Sequence, residues 1–204
     1  MPAVAPRRST APASTPEAGE APVAGFYWTR ERYDQAVEAG VFGPDDKVEL
    51  IEGQIVPKMP QNTPHSVATS LTAAALRTAF GTDFYAQEEK PIALSDRSEP
   101  EPDVAVVRGG PRAYLDDHPG PDAILLIVEV ADTSLVKDQV RMARLYAQAG
   151  VAEYWIINLH ERVLEVHRDP VGGTYGTKTT LGAEGVVSPV HAPDASVAVA
   201  DLLP

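Results

Sequence analysis

The alternation of apolar and polar positions predicts a chain that mixes strands and helices from about Phe26 onward. Strands are predicted where apolar residues alternate with polar ones or run unbroken, and helices where they recur every three or four positions. The predicted strands cover residues 48–56, 84–94, 103–107, 123–130, 153–159 and 162–168. The predicted helices cover residues 30–39, 65–80 and 138–149, and a glycine follows each of them.

The order of these elements predicts an α/β fold. The stretch 123–158 fits one strand–helix–strand unit, and its apolar run AILLIVEV is typical of a central strand covered on both faces. The strands that follow, joined by a tight turn at His160 and Glu161, are predicted antiparallel additions. We therefore expect a mixed β-sheet flanked by helices, with added antiparallel strands, forming a single domain over residues 26–204.

Residues 1–25 are rich in Pro, Ala, Ser, Thr and Glu, which predicts a disordered tail. No apolar run approaches the roughly 20 residues of a membrane span, and no apolar stretch follows Arg7 and Arg8. We therefore expect neither contact with a membrane nor a secretory signal. The absence of cysteine excludes disulfides and thiolate sites, and it fits a cytoplasmic location.

The formal net charge is -12, which counts against a protein that binds nucleic acid mainly through Lys and Arg. It does not exclude a nuclease, because carboxylates that hold Mg²⁺ present a positive site that formal charges do not include. The sequence contains no phosphate-binding loop, dinucleotide-binding fingerprint or serine-nucleophile motif.

Two carboxylates stand at the ends of predicted buried strands. Asp103 opens DVAVV, and Glu129 comes near the end of AILLIVEV. A carboxylate in such a place is costly unless it is paired or bound to metal. Asp103 and Glu129, helped by the backbone carbonyl of Val130, could converge on one Mg²⁺. Alternatively, Glu129 is simply solvated, and the Pro-Asp pair at Asp103 marks only a turn.

Three further positions could carry chemistry. Glu49 lies within the strand VELIEGQIV, where period two places it on the same face as Ile51. His65 follows Pro64 at a helix start, where a neutral imidazole could bind substrate or move a proton. Arg141 belongs to a polar stripe on one face of the helix 138–149, which either meets a phosphate or is solvated. Outward-facing polar roles remain open for Glu49 and His65 as well.

These parts together resemble a known family. The strings VELIEGQIV, a Pro-x-His group near residue 65, EPDVAVV, LLIVEVADTS and LYAQAGVAEYWIINL occur in this order over roughly residues 28–203. They are similar to the Uma-type (Uma two) restriction endonuclease family within the PD-(D/E)XK nuclease superfamily. The block from Val128 to Leu159 carries the most specific part of the resemblance.

The resemblance implies a restriction-endonuclease-like core that binds Mg²⁺ or Mn²⁺ and hydrolyses DNA. It implies that Asp103 and Glu129 are metal ligands, and it raises Glu49 and His65 as additional catalytic positions. Because cutting both strands of DNA usually requires two active sites, a homodimer is expected.

One position departs from the family pattern. Where the resemblance leads us to expect a lysine, four residues after Asp138, this chain has Met142. Methionine cannot stabilise a developing negative charge, and the cations that could replace it are Arg141 and Lys137. Two functions therefore remain open: a metal-dependent endonuclease, or a catalytically weakened relative that serves as a binding or assembly module.

Overall fold

A computed structural model describes residues 26–43 and 45–204 of the chain. The tail predicted over residues 1–25 lies outside the described residues. Within these two ranges, no helix combines the length and the apolar character that crossing a membrane requires.

The described chain alternates helices and strands, as the sequence pattern predicts. The helices are α1 (Arg30–Glu38), α2 (Thr63–Phe80), α3 (Leu135–Lys137) and α4 (Ala143–Gln148), with a π-helical turn (Asp138–Met142) joining the last two. The strands are β1 (Val48–Ile51), β2 (Gln54–Pro57), β3 (Phe84–Glu88), β4 (Val104–Arg108), β5 (Ile124–Ala131), β6 (Glu153–Asn158), β7 (Val163–Val171), β8 (Thr174–Gly182), β9 (Val186–Val187) and β10 (Val197–Ala198).

A six-stranded mixed sheet with the order β3-β4-β5-β6-β7-β8 forms the centre of the fold. Only β5 and β6 pair in parallel, and the segment from α3 to α4 provides the crossover between them. All other neighbours in this sheet are antiparallel. The predicted strand–helix–strand unit and the mixed α/β fold class are thus confirmed.

The sheet separates two apolar cores because successive side chains of a strand point to opposite faces. On one face, α2 packs Ala68, Ala73 and Leu76 against Val104 and other strand residues. On the opposite face, the crossover segment packs Met142, Leu145 and Tyr146 against the sheet residues Ala105, Ile127, Tyr154 and Ile156. Continuous apolar strands such as β5 follow from this arrangement, because both of their faces are covered.

The segment predicted as one strand over residues 48–56 is a tight hairpin of β1 and β2. Its turn consists of Glu52 and Gly53, whose φ angles of 52° and 78° are both positive, as a two-residue hairpin turn requires. The backbone of Gly53 is held by Trp28, whose N–H donates to the Gly53 carbonyl over 2.8 Å. This hairpin is a separate two-stranded sheet that packs Ile51 against the core on the side of α4.

Two other boundaries differ from the sequence pattern. The strand predicted over residues 84–94 leaves the sheet after Glu88, and Glu89 has a φ of 48°. The helix predicted from residue 138 begins at Leu135, and it contains the π-helical turn. An extra residue in one turn rotates every later side chain, a shift that periodicity in the sequence does not reveal.

Candidate functional site

Asp103 and Glu129 are neighbours across adjacent antiparallel strands. Val104 pairs with Val128, so the next pair along the ladder places Asp103 opposite Glu129. The Asp103 N–H donates to Glu129 Oε2 over 3.3 Å, and the Val130 N–H donates to Asp103 Oδ2 over 2.7 Å. The backbone of Asp103 therefore holds the Glu129 carboxylate, and the backbone of Val130, the residue after Glu129, holds the Asp103 carboxylate. The structure brings together the two residues that the sequence singled out.

His65 reaches this pair from α2, which lies on the face of the sheet opposite the crossover segment. It lies in the first turn of α2, which Asn62 caps by accepting the His65 N–H. The imidazole reaches the start of β4, where His65 Nε2 lies 3.2 Å from Asp103 Oδ2. Burial lowers the pKa of His65, but the hydrogen bond to Asp103 and the negative charges of Asp103, Glu89 and Asp132 together raise it above its ordinary value.

Glu49 faces the same site from the hairpin. Its side chain is buried, with 4% of its surface exposed, and Glu49 Oε1 accepts a hydrogen bond from Lys137 Nζ over 3.1 Å. The other oxygen accepts the Glu101 N–H over 3.2 Å. Burial lowers the pKa of Lys137, but Glu49, together with the charges of Glu129 and Asp138, raises it, so the net shift is upward. The lysine therefore remains a cation beside the carboxylates.

Two residues of the crossover segment complete the surroundings of Glu129. Tyr146 donates its hydroxyl to Glu129 Oε1 over 2.6 Å, and the buried Asp138 accepts a hydrogen bond from Ser134. Burial, then the charges of Asp103 and Asp138, raise the pKa of Glu129 well above its usual value. Burial is also the main reason that the pKa of Asp138 is raised to about 6. Glu129 thus has two further carboxyl groups, Asp103 and Asp138, close enough to raise its pKa.

Arg141 lies elsewhere. Its Nε is 3.6 Å from Glu52 Oε2, and its Nη2 is 3.5 Å from the Ile51 carbonyl oxygen, at the hairpin turn. Arg144 binds the same Glu52 carboxylate over 2.7 Å. This geometry does not support the predicted catalytic role of Arg141, because its guanidinium serves to fasten the crossover segment to the hairpin.

Met142 lies in the apolar core that includes Tyr146, with 2% of its surface exposed. The cation expected at this position is therefore absent. Lys137 instead brings an ammonium group to the site through its contact with Glu49. The sequence left both Lys137 and Arg141 as candidates for this role. It did not single out Lys137, because in an unbroken α-helix Lys137 does not point in the same direction as residue 142.

Sequence reasoning missed three residues that contact or border the site. These are Tyr146, Lys58 and Gln61; the amide of Gln61 lies 3.5 Å from Asp103 Oδ1, and Lys58 Nζ lies 2.7 Å from Glu101 Oε2. No local pattern reveals Tyr146, because it reads as an apolar helix position. A signal for Lys58 does exist: it shares one face of the hairpin with Glu49, since Glu49 pairs with Val56.

The donors at this site fit a hard divalent cation. Among the described residues, no three His, Cys, Asp or Glu side chains come together in a geometry that could hold a metal ion. Mg²⁺, however, is commonly bound through one or two carboxylates and keeps several waters. Asp103 and Glu129 supply that number, and their interlocked backbone hydrogen bonds hold both carboxylates in place. The N–H and the carbonyl of Val130 point to the same neighbouring strand, and the N–H donates to Asp103. The Val130 carbonyl therefore also lies on the side of Asp103.

A family model described as "Uma2: Putative restriction endonuclease" matches residues 30–200. Among solved structures, the fold is similar to that of a "putative nuclease belonging to DUF820" from Anabaena variabilis. The two chains are 18% identical, the match covers 76% of this chain and 88% of the other, and the TM-score is 0.58. No curated protein matches the chain. At this identity the similarity of structure shows the fold alone, whereas the family model covers most of the chain.

Proposed function

Because the chain belongs to the Uma2 restriction endonuclease family, we propose that it is a nuclease that hydrolyses phosphodiester bonds at the Asp103–Glu129 pair. The observation that carries this proposal is the interlocked geometry of the two carboxylates. The Asp103 N–H holds the Glu129 carboxylate, and the Val130 N–H holds the Asp103 carboxylate. A pair of carboxylates held in place at the ends of two adjacent strands is an arrangement that suits a catalytic divalent cation.

In the proposed site, Asp103 and Glu129 would hold Mg²⁺ or Mn²⁺, and the Val130 carbonyl could serve as a further oxygen ligand. A divalent cation supplies Lewis-acid polarisation of the phosphate and lowers the pKa of the attacking water. The water oxygen forms a bond to phosphorus and releases its proton to solvent, while the bond from phosphorus to the sugar oxygen breaks and that oxygen takes up a proton from solvent. His65 and Tyr146 fix the carboxylates through their contacts with Asp103 and Glu129.

Lys137 takes the charge-stabilising role in this proposal. Its ammonium group is 3.1 Å from Glu49 Oε1, and Glu129 and Asp138 also lie close enough to raise its pKa. A preorganised cation beside the reacting phosphate stabilises charge that develops in the transition state. Glu49 holds the lysine in place, so we assign Glu49 a positioning role.

The runner-up function is a binding or assembly module that has lost most of its catalytic power. The burial of Met142 in the apolar core favours it, since no cation arises from that helix position. The net charge of -12 also weakens any binding of nucleic acid that relies on surface charge alone.

DNA as the substrate, a homodimer and a cytoplasmic location belong to the proposal as well. DNA follows from the family, and the homodimer from the need for two active sites in double-strand cutting. A cytoplasmic location fits the absence of cysteine.

The test is nicking of supercoiled plasmid by the purified protein with Mg²⁺ or Mn²⁺, together with calorimetric titration of Mn²⁺. We expect metal-dependent nicking by the wild type, and a loss of at least about 100-fold in Asp103→Asn and Glu129→Gln. Both variants should also bind Mn²⁺ more weakly. The control is Asp116→Asn, which changes an exposed carboxylate outside the site. Equal nicking by Asp103→Asn and wild type would overturn the proposal. Mn²⁺ binding without any nicking would favour the binding module.

A further inference from the structure

Asp132 and Asn62 connect the end of the central strand β5 to the start of α2. The amide nitrogen Nδ2 of Asn62 donates to Asp132 Oδ2 over 2.5 Å, although the two residues are 70 positions apart in the chain. Asp132 directly follows β5, and Asn62 is the N-cap of α2. This hydrogen bond, the Asp132–Asn62 clasp, therefore fastens the first turn of α2 to the strand that carries Glu129.

The second carboxylate oxygen of Asp132 is held as well. His160 Nε2 lies 3.1 Å from Asp132 Oδ1, and only 21% of the Asp132 side chain is exposed. His160 comes two residues after β6, the parallel neighbour of β5, so the carboxyl ends of these strands lie side by side. The Leu159 N–H also donates to the Ala131 carbonyl over 3.0 Å. Asp132 therefore has a defined position from which it holds Asn62.

The clasp leads to the proposed metal site through one turn of helix. The side chain of Asn62 binds Asp132 with its nitrogen, and its oxygen Oδ1 accepts the His65 N–H over 3.1 Å. His65 Nε2 in turn lies 3.2 Å from Asp103 Oδ2. A continuous chain of contacts therefore runs from Asp132 through Asn62 and His65 to Asp103.

A cavity of about 120 Å³ adjoins this chain of contacts, and Asn62, His65 and Asp132 all line it. The first turn of α2 therefore faces open space on this side. The end turns of helices fray, because they are the least stable part of the element. A frayed first turn would carry the imidazole away from Asp103, and the clasp opposes that motion.

We infer that Asp132 and Asn62 are positioning residues, which act through His65 to hold Asp103 in the geometry that binds the divalent cation. This inference rests on the proposed nuclease function and extends the support of its metal site by two residues. Losing the partner that orients a metal ligand typically weakens metal binding about 10- to 100-fold. Asp132 is two contacts farther from the ligand than His65, so we expect a smaller effect, about 5- to 10-fold.

The experiment is a double-mutant cycle on the affinity for Mn²⁺, measured by calorimetry on the full-length chain. It compares the wild type, Asp132→Ala, His65→Ala and the double variant. Asp132→Ala should weaken Mn²⁺ binding about 5- to 10-fold in the wild type, but less than about twofold in the His65→Ala background. The reason is that a residue which acts through the imidazole has nothing to position once the imidazole is removed.

Two further variants separate positioning from stability. Asp132→Asn should keep most of the Mn²⁺ affinity, because its amide oxygen still accepts a hydrogen bond from Asn62. Asn62→Ser should weaken Mn²⁺ binding as Asp132→Ala does, because serine still caps a helix but has no amide to donate to Asp132. For both clasp variants, the kcat of plasmid nicking should fall while KM stays unchanged, since the clasp acts on the metal site.

The matched control is Asp117→Ala. The Asp117 carboxylate accepts a hydrogen bond from Arg30, 87 residues away in the chain, so it also joins distant segments, but outside the site. Its loss should change Mn²⁺ affinity less than about twofold.

Equal losses of Mn²⁺ affinity from Asp132→Ala in the two backgrounds would overturn the inference, as would an unchanged affinity in both clasp variants. Should Asp132→Ala fail to fold, as judged by circular dichroism, Asn62→Ser takes its place in the cycle. Plasmid nicking by the wild type tests the proposed function separately. Coupled losses of Mn²⁺ affinity without nicking would support the clasp and overturn the nuclease, whereas metal-dependent nicking without coupling would do the reverse. A wild type that binds no Mn²⁺ would overturn both.

Discussion

The hydroxyl of Tyr146 donates a hydrogen bond to Glu129 Oε1 over 2.6 Å, from the crossover segment to the central strand. Tyr146 is buried, and Glu129 is one of the two carboxylates of the proposed metal site. An outer contact of this kind fixes the orientation of a ligand without touching the metal. Tyr146 therefore connects the packing of the crossover segment to the geometry of the site.

Replacing Tyr146 by Phe should weaken Mn²⁺ binding and nicking about 10- to 100-fold, because Glu129 loses the donor that orients it. The change in stability should be only about 1 kcal/mol, since one hydrogen bond is lost. The measurements are calorimetric Mn²⁺ titration, plasmid nicking and thermal unfolding. Tyr175→Phe is the matched control, because the Tyr175 hydroxyl donates to the Val151 carbonyl away from the site. Equal losses of metal affinity in both variants would assign Tyr146 a purely structural role.

Replacing Lys137 by Met should lower the nicking rate about 10²–10³-fold, because the proposed stabilising cation is removed. Mn²⁺ binding should remain, since neither Asp103 nor Glu129 is changed. Adding Met142→Lys should restore part of the rate, because residues 142 and 146 share one helix face and Tyr146 reaches Glu129. The control is Arg144→Met, which removes a cation that the same segment directs to Glu52. A Lys137→Met enzyme as fast as the wild type would place the stabilising charge elsewhere.

Replacing Gly53 by Ala should destabilise the protein by about 1–3 kcal/mol. Its φ is +78°, and an added Cβ would lie 2.9 Å from Tyr27 Cβ. Gly40→Ala is the control for the cost of a positive φ without any steric contact, since Gly40 has a φ of +68° and open space around it. Chemical denaturation of both variants gives the difference that is due to the steric contact. Equal losses of unfolding free energy in the two variants would mean that the chain around Tyr27 moves to make room for the added Cβ without destabilising the fold.

Glu99 predicts a pH-dependent stability. It is buried, its Oε2 has no hydrogen-bond partner among the described residues, and its pKa is raised to about 7, mainly by burial. The groups around it are Asp34, Arg30, Asp117, Glu101 and His118. Because the folded pKa lies above the unfolded value of 4.5, the folded state binds the proton more tightly. Stability is therefore lost as the pH rises from about 4.5 to 7, and the cost is fully present above pH 7.

Glu99→Gln removes this cost, so it should stabilise the protein more at pH 8 than at pH 5, by about 2 kcal/mol. Denaturation at both pH values measures the difference, and the exposed Glu38→Gln serves as the control. A gain that is the same at both pH values would show that Glu99 keeps an ordinary pKa in the folded protein.

The sequence by itself determined the elements and the main pair of carboxylates. Thr29 predicts the start of α1, and its side chain accepts the Arg32 N–H as an N-cap does. The unbroken apolar run that ends near Glu129 predicts a central strand, because only a strand covered on both faces tolerates it. Such features depend on neighbours along the chain, so local periodicity is sufficient to reveal them.

Only the tertiary structure decided which charged groups meet. Lys137 and Glu49 are 88 residues apart, and their contact depends on how the hairpin docks against the crossover segment. In the same way, Met142 packs in the core beside Tyr146, and Arg141 binds the Glu52 carboxylate at the hairpin turn. A helical pattern of 3.6 residues places Arg141 and Arg144 on one face, but it does not reveal that both meet Glu52. The partners of a side chain across a fold are set by packing, which the sequence pattern of either segment does not contain.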